Sequence, residues 1–102
     1  MKITEVAIYP VKPQEDPASG NRLVAIASFL YNGEAFVNSI GVYAVKGGGY
    51  KLSYPIKKIK DSRFDIFKPV TKELSSAINE AVISEYERML STDVTDLVED
   101  EE

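Results

Sequence analysis

Cysteine and histidine are both missing from this 102-residue chain, and each absence removes a class of chemistry. Without cysteine there is no disulfide framework and no thiolate nucleophile. Without histidine the commonest general base and metal ligand near neutral pH is gone. Ser, Lys, Asp and Glu remain, and no spacing among them assembles a nucleophile, a base and an orienting group. The chain therefore reads as a non-enzyme, with no cofactor, no metal and no small-molecule substrate. Long hydrophobic runs are missing too. The longest, Leu23 to Leu30, falls far short of the roughly 20 residues that span a bilayer, and Met1-Lys2-Ile3-Thr4-Glu5 lacks the apolar core of a signal peptide. A cytoplasmic protein with no membrane partner is expected.

The formal net charge of −4 conceals a segregation. Six of the sixteen acids lie in the last ten residues, so the remainder sets ten acids against twelve basic residues and is mildly basic. Such a length suits one domain, read as residues 1–92, and residues 93–102 read as an acidic tail expected to be disordered. Between Lys46 and Lys72, eight basic residues stand against Asp61 and Asp65 alone. A cationic segment in an anionic chain is the electrostatic footprint of a polyanion partner, or else a solvated surface loop.

Along the chain, residues 2–11 read as a strand in which Pro10, lacking an N–H, marks an edge or an exit. Residues 12–21 carry two prolines and a glycine without apolar period and read as a mobile loop. Residues 22–31 and 34–45 read as strands joined by Asn32-Gly33, the dipeptide suited to a type I′ hairpin turn. Their apolar residues occupy both faces: Leu23, Ala25, Ala27, Phe29 and Tyr31 against Val24, Ile26 and Leu30, then Phe36, Ile40 and Val42 against Val37, Tyr43 and Val45. Both faces need cover. Gly47-Gly48-Gly49 reads as a turn, since no Lys-Ser/Thr ending or helix follows to cradle phosphate. Tyr50, Leu52 and Tyr54 alternate with polar residues in a further strand, as core or as a base-stacking platform. Ile56–Ser62 reads as a basic loop and Arg63–Lys68 as a short returning strand.

A helix is predicted from Thr71 to Leu90, capped by Thr71. Leu74, Ala77, Ile78, Ala81 and Val82 form its core stripe. Ile83, Tyr86 and Leu90 form a second stripe, which reads either as part of a deeper single core or, together with the two-sided strands, as a homodimer interface; the homodimer is the expectation. The fold expected is α+β: a small antiparallel sheet of four to five strands followed by one C-terminal helix, dimeric.

The order of certain pieces resembles the stage V sporulation protein G (SpoVG) family of bacterial septation and gene regulators. These are Met1-Lys2-Ile3-Thr4-Glu5-Val6 at the start, Phe36-Val37 with Ile40 and Val42, and Pro55 followed by Lys57-Lys58. Arg63-Phe64-Asp65-Ile66 with Pro69, and Ala81-Val82 with Glu85-Tyr86-Glu87, complete them. The resemblance implies a homodimer that binds DNA and, in some members, RNA, in septation, sporulation or gene regulation, without catalysis. It places the family's basic pair at Lys57 and Lys58 and its arginine at Arg63. With the neighbouring charges, the expected nucleic-acid contacts are Lys51, Lys57, Lys58, Lys60, Arg63 and Lys68. The sequence departs from the family pattern in a longer loop at residues 12–21 and in a Lys-Lys pair where Lys-Arg is usual. Lysine holds phosphate as a point charge but lacks arginine's planar fork for a guanine edge. The rival reading is a protein-interaction module with a solvated basic loop and no nucleic-acid binding.

Overall fold

Asn32 and Gly33 adopt φ of 53° and 69°, and the Glu34 N–H donates to the Tyr31 carbonyl at 2.9 Å. Two successive positive φ angles match the right-handed twist of the flanking strands, as the dipeptide predicts. The computed structural model describes the backbone of residues 2–100 and the side chains of residues 2–91. The turn joins β2 (Arg22–Tyr31) to β3 (Ala35–Ala44); β1 (Ile3–Glu15) and β4 (Tyr50–Ser53) flank them in an antiparallel sheet of order β1-β2-β3-β4. A second, two-stranded sheet pairs β5 (Ile56–Ile59) with β6 (Ser62–Asp65), and α1 (Lys72–Asp100) follows. The α+β fold is as expected.

Four boundaries differ from the sequence reading, each for a physical reason. β1 continues through Glu15, which pairs with Arg22, because β2 offers a ladder that polar residues join as readily as apolar ones. Pro10 and Pro13 both sit on this edge strand, where a missing N–H costs little. What remains of the expected mobile loop is a tight turn: Asp16 Oδ1 accepts from the Ala18 N–H, and Asn21 Oδ1 accepts from the Lys46 N–H, each at 3.1 Å. The basic loop is half of a hairpin, its residues paired across β5 and β6. Finally, α1 runs on to Asp100 instead of ending near Leu90; residues 101 and 102 of the acidic tail lie outside the described residues.

The core forms where α1 crosses one face of the larger sheet. Ala25, Ala27, Phe29, Val37, Ile40, Val42, Leu52, Ile78, Val82 and Tyr86 are buried together. Val37 is buried and Phe36 is 66% exposed, the reverse of the phase that strict alternation assigns. The cause is a register shift between Ala27 and Phe29 of β2, opposite which β3 carries an extra residue, with Ser39 at φ 65°. A bulge of this kind moves every later side chain to the other face. A second shift, between Leu23 and Ala25, likewise separates Leu23 from the inner row. Thr71 caps α1 as expected, its Oγ1 accepting from the Leu74 N–H at 3.1 Å.

Tyr50 and Tyr54 belong to the core. The Tyr50 ring meets Tyr86 edge-on at 5.2 Å between centroids, and Tyr54 packs against Phe67 at 5.9 Å. They are not a stacking platform. The buried Tyr54 hydroxyl has no hydrogen-bond partner. Burial pushes its pKa up; the neighbouring Ser75 side chain opposes this weakly without reaching hydrogen-bond geometry. Tyr54→Phe removes a buried polar group without a hydrogen-bond partner among the described residues, and is expected to raise stability by about 1 kcal/mol. Burial also penalises the ionised phenolate, so stability falls as pH rises from about 10 through the higher folded pKa. Denaturant melts at pH 7 and above pH 10 check both points: no stabilisation, or identical alkaline loss in wild type and variant, contradicts this account.

Candidate nucleic-acid interface

The basic residues are held by a ribbon that stands apart from the larger sheet. Pro55 ends β4's extension, and at the ribbon's base the Ile66 N–H donates to the Pro55 carbonyl at 2.9 Å. Phe67 then anchors the exit, its ring edge-on to the buried Phe29 at 6.2 Å. Lys60 and Asp61 make the two-residue tip, with Lys60 at φ 54°, a backbone region that lysine enters only at a cost.

Antiparallel pairing fixes which side chains share a face. Lys58 stands opposite Arg63 and Ile56 opposite Asp65 on one face; Lys57 stands opposite Phe64 and Ile59 opposite Ser62 on the other. Lys57, Lys58, Lys60 and Arg63 are all exposed, and none forms an ion pair among the described residues. Lys68 lies just past the ribbon, 4.0 Å from Asp65, an exposed pair of little energetic weight. Lys51 is elsewhere. It sits on β4 opposite Tyr43, beside Asp16, Ser19, Asn21 and Ser53. The structure thus brings four of the six expected contacts onto one hairpin, sets Lys68 at its root and leaves Lys51 on the larger sheet.

The second helix stripe divides. Tyr86, expected at the dimer interface, is 7% exposed in its own chain's core and has little surface to give a second chain. Ile83 packs against the core and Leu90 is exposed at 38%. The sheet face away from α1 is the more open apolar surface. Tyr9, Ile26, Gly41 and Ser53 form one row across all four strands, and Thr4, Leu30 and Phe36 another. Tyr9 is 58% exposed there.

The other recesses carry little chemistry. A cleft of about 430 Å³ between Phe36, Pro55, Ile66 and Phe67 has no carboxylate or cation in its lining. On α1, Arg88 Nε donates to both Glu85 oxygens at 2.7 and 2.9 Å, and this bond holds the Glu85 carboxyl below its ordinary pKa. No group of three or more metal-ligating side chains occurs among the described residues, and no helix there is long and apolar enough to cross a membrane. On the ribbon, an exposed aromatic escaped the sequence reading. Phe64 is 52% exposed on the ribbon; the signal was its position between Arg63 and Asp65, whereas Tyr50 and Tyr54 flank the buried Leu52.

A four-stranded sheet backed by one helix, with a cationic two-stranded ribbon set off from it, defines a small α+β domain whose charge is concentrated on one appendage. The SpoVG family model matches residues 1–88. The chain belongs to that family. Its relatives include SpoVG 2 of Listeria monocytogenes serotype 4b, 30% identical over 99% of this chain and 93% of the relative. SpoVG of Clostridium perfringens is 28% identical over 92% of this chain and 98% of its own, and SpoVG of Archaeoglobus fulgidus 37% identical over 84% and 94%. The names of all three refer to septation.

Proposed function

We propose that this protein is a non-enzymatic, cytoplasmic regulator that binds nucleic acid, DNA and also RNA, through the β5–β6 hairpin, with a role in septation or gene regulation. The observation that carries the reading is the cross-strand pair Lys58 and Arg63. Like charges placed directly opposite are destabilising, and a two-stranded ribbon has little stability to spare. A phosphate between them turns that repulsion into two attractions. Lys57 and Lys60 extend the contact around the tip, with Lys68 and Lys51 flanking. Contacts of this kind position a backbone and read little sequence.

Fluorescence anisotropy of labelled duplex DNA, single-stranded DNA and RNA across a salt series tests the reading. With about four phosphates neutralised, log affinity is expected to fall against log salt with a slope of roughly −3 to −4. Binding that ignores salt, or no binding to any of the three, rejects it in favour of a protein-interaction module.

The working unit is a homodimer. Its interface is the sheet face opposite α1, where Tyr9 and Phe36 are exposed at 58% and 66% beside the half-buried Ile26 and Leu30. Light scattering after size exclusion is expected to give twice the chain mass of 11.3 kDa; a monomer at tens of micromolar, where obligate dimers persist, removes this part of the reading.

A further inference from the structure

One face of the β5–β6 ribbon combines an aromatic ring, a branched aliphatic side chain and a cation. Phe64 and Ile59 are diagonal neighbours on it, exposed at 52% and 50%, and Lys57 lies directly across from Phe64. Of the aromatic residues in the basic stretch, Tyr50, Tyr54 and Phe67 each pack against another ring; Phe64 has no ring partner among the described residues. A half-exposed phenyl ring on a ribbon with no core of its own gives the fold little.

We propose that this face captures an unpaired base, with Phe64 as the stacking surface, Ile59 as the apolar wall beside it and Lys57 on the adjoining phosphate. The preferred partner is then a single strand, or the unpaired segment of a structured nucleic acid. This inference rests on the hairpin's being the nucleic-acid contact and adds what that contact recognises. The chemistry favours a base over an apolar protein surface. A protein covering Phe64 and Ile59 must also desolvate the Lys57 ammonium between them, a costly step without a buried counter-ion. A single strand instead brings a π-face and a phosphate at each nucleotide, the two groups that this face complements. In a duplex the bases are stacked on one another and offer Phe64 no face.

The test uses the full chain with oligo-dT and with a duplex of equal length. Phe64→Ala is expected to weaken oligo-dT binding by roughly 10- to 100-fold, the worth of one stacked base, with the salt slope unchanged because the phosphate contacts remain. Duplex affinity should change by less than about threefold. The exposure of Phe64 makes unfolding improbable, and circular dichroism checks it. Phe64→Trp supplies an independent readout. The chain contains no tryptophan, so the new indole is the sole reporter, and its emission is expected to quench saturably with oligo-dT and not with the duplex. Unchanged oligo-dT affinity in Phe64→Ala, equal losses for strand and duplex, or an unresponsive indole each overturns base capture while leaving phosphate binding by the hairpin standing. Failure of the wild type to bind oligo-dT, the duplex or an RNA strand of equal length overturns both base capture and the hairpin's role as the nucleic-acid contact.

Discussion

Reversing Lys57, Lys58 and Lys60 together to Glu is expected to abolish nucleic-acid binding while leaving the fold intact. Non-specific binding through phosphate contacts has a Kd of about 10⁻⁴ to 10⁻⁶ M at physiological salt. With three of four ribbon cations inverted, the residual interaction is expected to be weaker than about 10⁻³ M, and its salt dependence close to flat. The fold should hold because all three side chains are exposed and free of ion pairs among the described residues. The ribbon itself gains a little: Lys58→Glu faces Arg63 across the ladder and replaces a repulsive pair with an attractive one, worth a few tenths of a kcal/mol. Anisotropy titrations with circular dichroism and a thermal melt read all of this. Retained affinity in a folded triple variant shows that the ribbon's charge is only solvated.

Phe29→Ala is the second large effect. Phe29 is fully buried at the centre of the core, and its truncation leaves a cavity that a sheet pinned by ladder hydrogen bonds cannot close. The expected loss is about 3–5 kcal/mol, a large part of the 5–15 kcal/mol typical of a whole domain. The damage also reaches the ribbon. Phe67, which fixes the exit of β6, packs its ring against Phe29, so the variant removes the apolar anchor at the ribbon's root. Urea unfolding should show the midpoint falling steeply, and anisotropy should show weaker binding even under conditions where the variant stays folded. Ile66→Ala, at a side chain 65% exposed, is the control and should cost no more than about 0.5 kcal/mol. A loss below about 1 kcal/mol for Phe29→Ala contradicts the placement of the core.

The sequence by itself determined whatever depends on neighbours along the chain. The Asn32-Gly33 turn, the Thr71 cap and the helix stripe through Ile78 and Val82 are local: a dipeptide, a hydroxyl and a 3.6-residue period suffice to specify them. The concentration of charge between Lys46 and Lys72 was equally plain, and so was the spread of apolar residues over both faces of the central strands, of which α1 covers one. Only the tertiary structure decided the rest. Period-two alternation assumes an unbroken pleat, and the bulge at Ser39, which exchanges Phe36 for Val37 in the core, is stabilised by the strand opposite it and by packing beneath. Whether the basic segment was a loop or a ribbon depended on pairing between Ile56–Ile59 and Ser62–Asp65, and the polar end of β1 became strand because Arg22 and Leu23 were there to pair with it. Tyr86 reads as part of a second apolar stripe until Tyr50, far away in sequence, places a ring against it. Phe64 differs from the core aromatics in sequence only by its charged neighbours Arg63 and Asp65, and its exposure follows from the ribbon's standing off the sheet.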